Sequence, residues 1–320
     1  MSTKYPRPAA HAPDEYPGRN ARRALFAQIR RSVVGIVHAP DMAPSAHPSQ
    51  AAESLHRLDI IGTGFLVDAT GIVLTARHVI EPWIRADQAR VKNGGVGPQL
   101  PTLKILVAAP VKKEGNTTAW EFMVTGVGPF RYGLNVDFAA LAVRVPPHNH
   151  SFGPLSALGL SQEPCQEGDE VVMCGFPFGR ALHRDQLGGM AMTASFTQGI
   201  VSATLPFPGA PTETRTMFQM DASINNGMSG GPVVDVVTGK VVGLTVGTVL
   251  MQRAAEPPSE AAATHPAPAA DIPTGLARAV DVHAAFEAIR TLREDLKKLS
   301  DLSAQVIPYP RPVPPDKPKA

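Results

Sequence analysis

Only two cysteines, Cys165 and Cys174, occur in the 320 residues. Two thiols cannot supply a disulfide framework for a chain this long, so a reducing compartment is expected. Excess charge is missing too. Thirty Lys and Arg against 28 Asp and Glu leave a net charge of +2, too little for an electrostatic nucleic-acid footprint. No stretch approaches the ~18 apolar residues of a membrane span. Met1 to Asn20 is polar and Pro-rich, without the apolar centre of a signal peptide. The apolar residues that follow, Ala24, Leu25, Phe26 and Ile29, are broken by Arg22, Arg23, Arg30 and Arg31. No HExxH and no Cys/His cluster at metal-ligand spacing is present, so no metal and no other cofactor is implied. The expectation is a cytoplasmic protein with no nucleic-acid and no membrane partner; its oligomeric state is left open.

What is present is a series of short apolar, β-branched runs separated by Gly, Asn or Pro. They include Ser32–His38, Ile60–Val67, Gly71–Thr75 across a turn at Asp68–Gly71, Leu103–Ala108, Phe122–Val127 and Phe138–Val145. After a break around Pro146–Pro164 the runs resume with Glu170–Cys174, Gly199–Ala203, Met217–Met220, Val233–Val237 and Val241–Val249. Many short strands with few helical stretches argue for an all-β barrel or sandwich. The break near residue 155 divides them into two groups, hence two barrels. The boundaries expected are a flexible arm over 1–21, a first barrel over 22–155, a second over 156–280, an amphipathic helix over 281–302 and a Pro-rich tail over 303–320. The helix rests on Val282, Phe286, Ile289, Leu292, Leu296 and Leu299, spaced by three and four, with Asp281 as a cap. This apolar stripe is expected to lie on the second barrel. Ala254–Pro273 reads as an exposed Ala/Pro-rich loop beside a pocket mouth, and Arg85–Pro101 as a surface insertion.

The sharpest chemical signal is Asn226-Gly-Met-Ser229-Gly-Gly-Pro232. A serine between glycines suits acyl transfer, because the N–H groups of Gly227 and Ser229 can form an oxyanion hole while Gly230 and Gly231 leave room for a peptide. A plain flexible turn is the alternative. The same residues match the G-x-S-x-G elbow of α/β-hydrolases, but that elbow needs a helix directly after the serine. Gly-Gly-Pro followed by Val233, Val234, Val236 and Val237 favours a strand instead. The downstream histidines, His265 and His283, fall in a Pro/Ala loop and on a helix surface, so a histidine base must come from upstream. His78, after the strand Gly71–Thr75, is placed where a side chain can face a cleft; a satisfied core histidine is the alternative. Asp137 opens an apolar strand and needs a partner when buried, which a histidine N–H would supply; a strand-end turn aspartate is the alternative.

Together these motifs resemble the trypsin-like peptidases, and in particular the HtrA group. Gly62-Thr-Gly-Phe-Leu-Val67 with Gly71-Ile-Val-Leu-Thr-Ala-Arg-His78-Val is similar to that group's histidine block, Asp137-Phe-Ala-Ala-Leu-Ala-Val143 to its aspartate strand, and Asp221–Val233 to its serine block. Gly168–Gly179, Gln198–Ala203 and Thr274–Val280 resemble strands of its second barrel. The resemblance spans about residues 32–281. It implies two six-stranded antiparallel β-barrels of the chymotrypsin/trypsin type with a C-terminal helix, and a triad of His78, Asp137 and Ser229 in chymotrypsin order. The expected activity is that of a serine endopeptidase acting on protein or peptide substrates through an acyl-enzyme. A catalytically silent double-barrel binding protein and an esterase using the same triad stay open. Ser223, six before the serine, argues against Lys or Arg at P1. With Thr245, Val246 and Gly247 it is expected to form a pocket for small or medium aliphatic side chains. About 40 residues follow the last expected strand, too few for the PDZ domain usual in HtrA proteins. Met228 stands where zymogen-type trypsins carry an aspartate.

Overall fold

The computed structural model describes residues 18–38, 59–68, 70–95, 103–114, 117–143, 156–177, 182–184, 190–192, 194–206, 215–252 and 271–305. The exposed loop expected at Ala254–Pro273 and the Pro-rich tail lie almost wholly outside them, as does most of the N-terminal arm.

Helix α1 (Arg19–Ser32) leads into β1 (Val33–His38), β2 (Asp59–Asp68) and β3 (Ile72–Thr75). Helix α2 (Arg77–Lys92) follows, then β4 (Leu103–Glu114), β5 (Thr117–Tyr132) and β6 (Ala139–Val143). These six strands close into an antiparallel barrel in the order β1-β2-β3-β6-β5-β4. The turn into β3 is as the residues require: Asp68 Oδ1 accepts the Thr70 N–H at 2.8 Å, and Gly71 takes a φ of 92°.

The second half contains β7 (Glu170–Gly175), a small hairpin of β8 (Leu182–Arg184) and β9 (Met190–Met192), then β10 (Ser195–Pro206), β11 (Arg215–Met220), β12 (Pro232–Asp235), β13 (Val241–Gln252) and β14 (Asp271–Asp281). All but the hairpin close a second barrel, β10-β11-β14-β13-β12-β7. The two-barrel, all-β fold inferred from the residues is the fold observed.

Strand alternation packs the barrels together. Val171, Met173, Val233, Val242 and Ala279 point into the second barrel. Their neighbours Val172, Cys174, Val234, Val241 and Val280 face the other way and join the cluster that fills the first barrel. Strands buried on both faces read as unbroken apolar runs rather than as alternation, and these do.

The two terminal helices cross over. Helix α1 lies on the second barrel, with the Phe26 and Phe196 rings 4.5 Å apart and the Arg30 guanidinium over Phe196 at 5.2 Å. The last helix, α3 (Phe286–Gln305), lies on the first, against β5 and β6. The expectation that its stripe covers the second barrel is corrected here. A one-turn 3₁₀ segment, Val282–Ala285, capped by Asp281 accepting the His283 N–H at 2.9 Å, redirects the chain. Ile289 and Leu292 are then buried against the first barrel, while Arg293 reaches Asp68 at 2.6 Å and Arg131 pairs with Asp295. His283, expected on a helix surface, is half-buried with its Nδ1 2.5 Å from Asp281. The expected insertion at Arg85–Pro101 is also different, since its first half belongs to α2, anchored by buried Val79, Ile80 and Ile84.

Candidate active site

The pairing of β3 with β6 places Thr75 opposite Ala139. His78 follows Thr75 by three residues and Asp137 precedes Ala139 by two, so both leave the first barrel at the same end of one strand pair. His78 stands in the first turn of α2, where backbone N–H groups have no partner within the helix. Asp137 meets it twice: Oδ1 accepts the His78 backbone N–H at 2.9 Å, and Oδ2 lies 2.6 Å from ring Nδ1. The carboxylate therefore caps the helix from a remote loop and turns the ring at the same time. With Nδ1–H given to Asp137, Nε2 is the free basic nitrogen, and it has no hydrogen-bond partner among the described residues. Burial pushes the Asp137 carboxyl pKa up, but the His78 ring and N–H, with the Arg77 charge behind them, outweigh it and hold the pKa below its ordinary 3.8.

Arg77 was not among the residues singled out from the sequence. Its Nη1 donates to the carbonyls of Gly133 at 2.9 Å and Leu134 at 2.6 Å, which ties the start of α2 to the loop carrying Asp137. A cleft of about 540 Å³ opens beside His78 and Asp137, lined also by Arg77, Glu81, Arg85 and Leu134.

The serine arrives from the second barrel on two consecutive turns. Met228 N–H donates to Asn225 O at 3.1 Å, and Gly231 N–H to Met228 O at 3.0 Å. In each turn the third residue is a glycine at positive φ, Gly227 at 93° and Gly230 at 86°, as a type II turn requires. The glycines around the serine are thus turn formers as well as space makers. Met228 is 2% exposed and joins the core of the second barrel. At that position an apolar anchor, worth about 1.5–3 kcal/mol on burial, holds the loop without an ion pair.

The loop then docks on the first barrel. Thr63 N–H donates to Ser229 O at 2.8 Å, and a Cβ placed on Gly230 would lie 2.2 Å from Thr63 O and 2.7 Å from Ala76 N, two residues from His78. A Cβ on Gly62 would meet Val79 Cγ1 at 2.5 Å and Ser229 O at 3.2 Å, so hydrogen alone fits between them. His78 and Asp137 are joined, and the backbone of Ser229 is held beside their strands. No hydrogen bond joins the Ser229 hydroxyl to His78. The N–H groups of Gly227 and Ser229 are given to no acceptor among the described residues.

Of the four residues expected at a substrate pocket, Ser223 is exposed and Val246 and Gly247 are half-buried, with open space where a Gly247 Cβ would go. Thr245 does not line that space: it is 1% exposed and its hydroxyl donates to Met228 O at 2.6 Å. Gly275, not singled out from the sequence, faces the Ser223 hydroxyl, which a Cβ there would meet at 3.9 Å. Among the described residues no group of His, Cys, Asp and Glu is placed to hold a metal.

The model of the trypsin-like peptidase domain matches residues 62–244, which include the histidine, aspartate and serine loops. The chain belongs to this family. Among curated relatives of this trypsin-like domain, the mitochondrial serine protease HTRA2 of Bos taurus is 31% identical over 187 residues, 57% of this chain and 30% of that protein. The putative serine protease HhoA of Synechocystis is 27% identical over 186 residues, 57% of this chain and 36% of that protein. The chain therefore spans about a third of the length of these HtrA-type relatives. A solved serine endoprotease from Yersinia pestis is 18% identical with a TM-score of 0.47, covering 88% of this chain and 69% of that one.

Proposed function

We propose that this trypsin-like domain is a serine endopeptidase in which Ser229 is the nucleophile, His78 the general base and Asp137 the group that orients it. The observation that carries this reading is the two-point hold of Asp137 on His78, which leaves Nε2 as the acceptor beside the docked serine loop. In this mechanism Nε2 takes the Ser229 Oγ proton as the oxygen attacks the scissile carbonyl. The carbonyl oxygen gathers negative charge between the Gly227 and Ser229 N–H groups, and collapse of the tetrahedral intermediate expels the amine, protonated by His78. Water repeats the cycle on the acyl-enzyme. The hydroxyl–imidazole bond absent at rest forms when substrate closes on the site, as catalytic contacts commonly do.

The substrates proposed are proteins and peptides with small or medium aliphatic residues at P1, since Ser223 offers no anion for a basic side chain. Dominant cleavage after Arg in a peptide library would overturn that preference. The test of the mechanism is labelling by a fluorophosphonate probe together with casein hydrolysis. Both should be present in the wild type and absent in S229A at unchanged thermal stability. Labelling that persists in S229A would remove Ser229 as nucleophile. The missing Ser–His bond favours one other reading, a silent double-barrel binding protein, which predicts an unlabelled but folded wild type. An esterase would turn over ester and not peptide.

A further inference from the structure

The three peptide units that link residues 227 to 230 carry three carbonyls and three N–H groups, and five of these six are engaged inside the protein. Gly227 O accepts the Thr63 hydroxyl at 2.6 Å, and Met228 N–H goes to Asn225 O at 3.1 Å. Met228 O accepts the Thr245 hydroxyl at 2.6 Å and Gly231 N–H at 3.0 Å. Ser229 O accepts Thr63 N–H at 2.8 Å, and Gly230 N–H goes to Thr245 O at 2.7 Å. The group left over is the Ser229 N–H.

A peptide unit is planar and trans, so pinning its carbonyl fixes its N–H in the opposite direction. Thr245 and Gly231 hold Met228 O toward the second barrel, which turns Ser229 N–H away from it and toward the cleft. Gly227 and Gly230 flank this stretch, and their freedom lets the adjoining units 227–228 and 229–230 turn at low cost, so the bonds to Gly227 O and Ser229 O are needed to hold the loop as well. Both threonines are enclosed, at 0% and 1% exposure, so water does not compete for their hydroxyls. The direction of the Thr63 hydrogen is also settled, because its oxygen accepts Phe176 N–H at 3.1 Å and must donate to Gly227 O.

We infer that Thr63 and Thr245 are positioning residues for the oxyanion hole: one from each barrel, they lock the peptide units around Ser229 so that its N–H faces the substrate. This rests on the endopeptidase reading and adds to it that the hole is set by two buried hydroxyls. Thr245 was expected at the substrate pocket, and this assigns it a different task.

The test uses the full chain as wild type, T245V and T245S, assayed on a fluorogenic peptide and with a peptide aldehyde that forms a tetrahedral adduct on the serine. T245V is expected to lower kcat about 10-fold, equal to about 1.4 kcal/mol of barrel-held transition-state stabilisation, with KM changed less than about 2-fold. Aldehyde affinity should fall by the same factor as kcat, and T245S, which keeps the hydroxyl, should recover both. A T245V enzyme matching the wild type in kcat overturns the inference alone. So does a fall in kcat that T245S shares, or one in which aldehyde binding is unmoved. If T245V does not fold, T245A is read by the same criteria, and loss of folding in both makes the threonine structural and overturns the role. A wild type that neither cleaves nor reacts with fluorophosphonate overturns the endopeptidase reading and this one together.

Discussion

Replacing Gly230 by alanine tests how the two barrels share the Ser229 loop. The added methyl meets two difficulties at once. At φ +86° an L side chain costs about 1–2 kcal/mol in backbone strain. Its Cβ would also lie 2.2 Å from Thr63 O, 2.3 Å from Thr75 Oγ1 and 2.7 Å from Ala76 N, and two of these three are backbone atoms of the first barrel. Real Cβ atoms do not approach so closely, so the loop must lift off, giving up Thr63 N–H to Ser229 O and Gly230 N–H to Thr245 O. At about 1 kcal/mol net for each hydrogen bond, the total is about 3–4 kcal/mol. For a chain of 320 residues, at about 1.5 °C per kcal/mol, that is a fall in Tm of about 4–6 °C. The control is Gly94, which has nearly the same φ of +85° but nothing within 4 Å of its Cβ. G94A should cost the strain alone, about 1–2 kcal/mol. Thermal denaturation followed by circular dichroism measures both variants. A G230A protein that melts within about 2 °C of G94A would refute the claim that this glycine is a close-approach point between the barrels.

Two predictions concern pH. The Asp137 carboxyl is held below its ordinary 3.8 in the folded state, so its contribution to stability is present above that value and is lost as pH falls through the lower folded one. The stability difference between wild type and D137N, from urea titrations, should be constant above about pH 5 and shrink toward pH 3; a difference that grows on acidification would contradict it. His283 shifts the other way. Burial lowers its pKa, but the Gln162 backbone and the Asp281 and Glu163 carboxylates outweigh burial and raise it above 6.5. Its contribution is therefore present below 6.5 and lost as pH rises through the raised value. H283Q should cost more stability at pH 6 than at pH 9, and equal cost at both would exclude a charged His283 in the folded protein.

Much of this was legible in the residues because strand pairing and turn chemistry are local. The Gly-rich serine loop, the Asp68–Gly71 turn and the apolar runs of both barrels follow from φ requirements and β-branched composition. Helix α2 was not legible. Val79 and Ile80 are β-branched and Pro82 interrupts the backbone bonding, all arguing against a helix, yet burial of Val79, Ile80 and Ile84 overrides them. Nor could periodicity show which barrel α3 covers: an apolar stripe defines a face and not its partner, and that choice lies in long-range pairs such as Arg293 with Asp68. What Thr63 and Thr245 bond to was hidden for a related reason, and Thr245 was therefore assigned to the pocket instead. A threonine in a strand is unremarkable until coordinates show what its hydroxyl touches.

The crossing of the terminal helices has a consequence for the nascent protein. The first barrel leaves the ribosome early, but the patch on β5 and β6 stays bare until α3, more than 140 residues later, has been synthesised. Helix α1 likewise precedes its partner Phe196 by more than 160 residues. Each half completes the other, so removing either terminal helix strips cover from the opposite barrel and not from the one next to it in sequence.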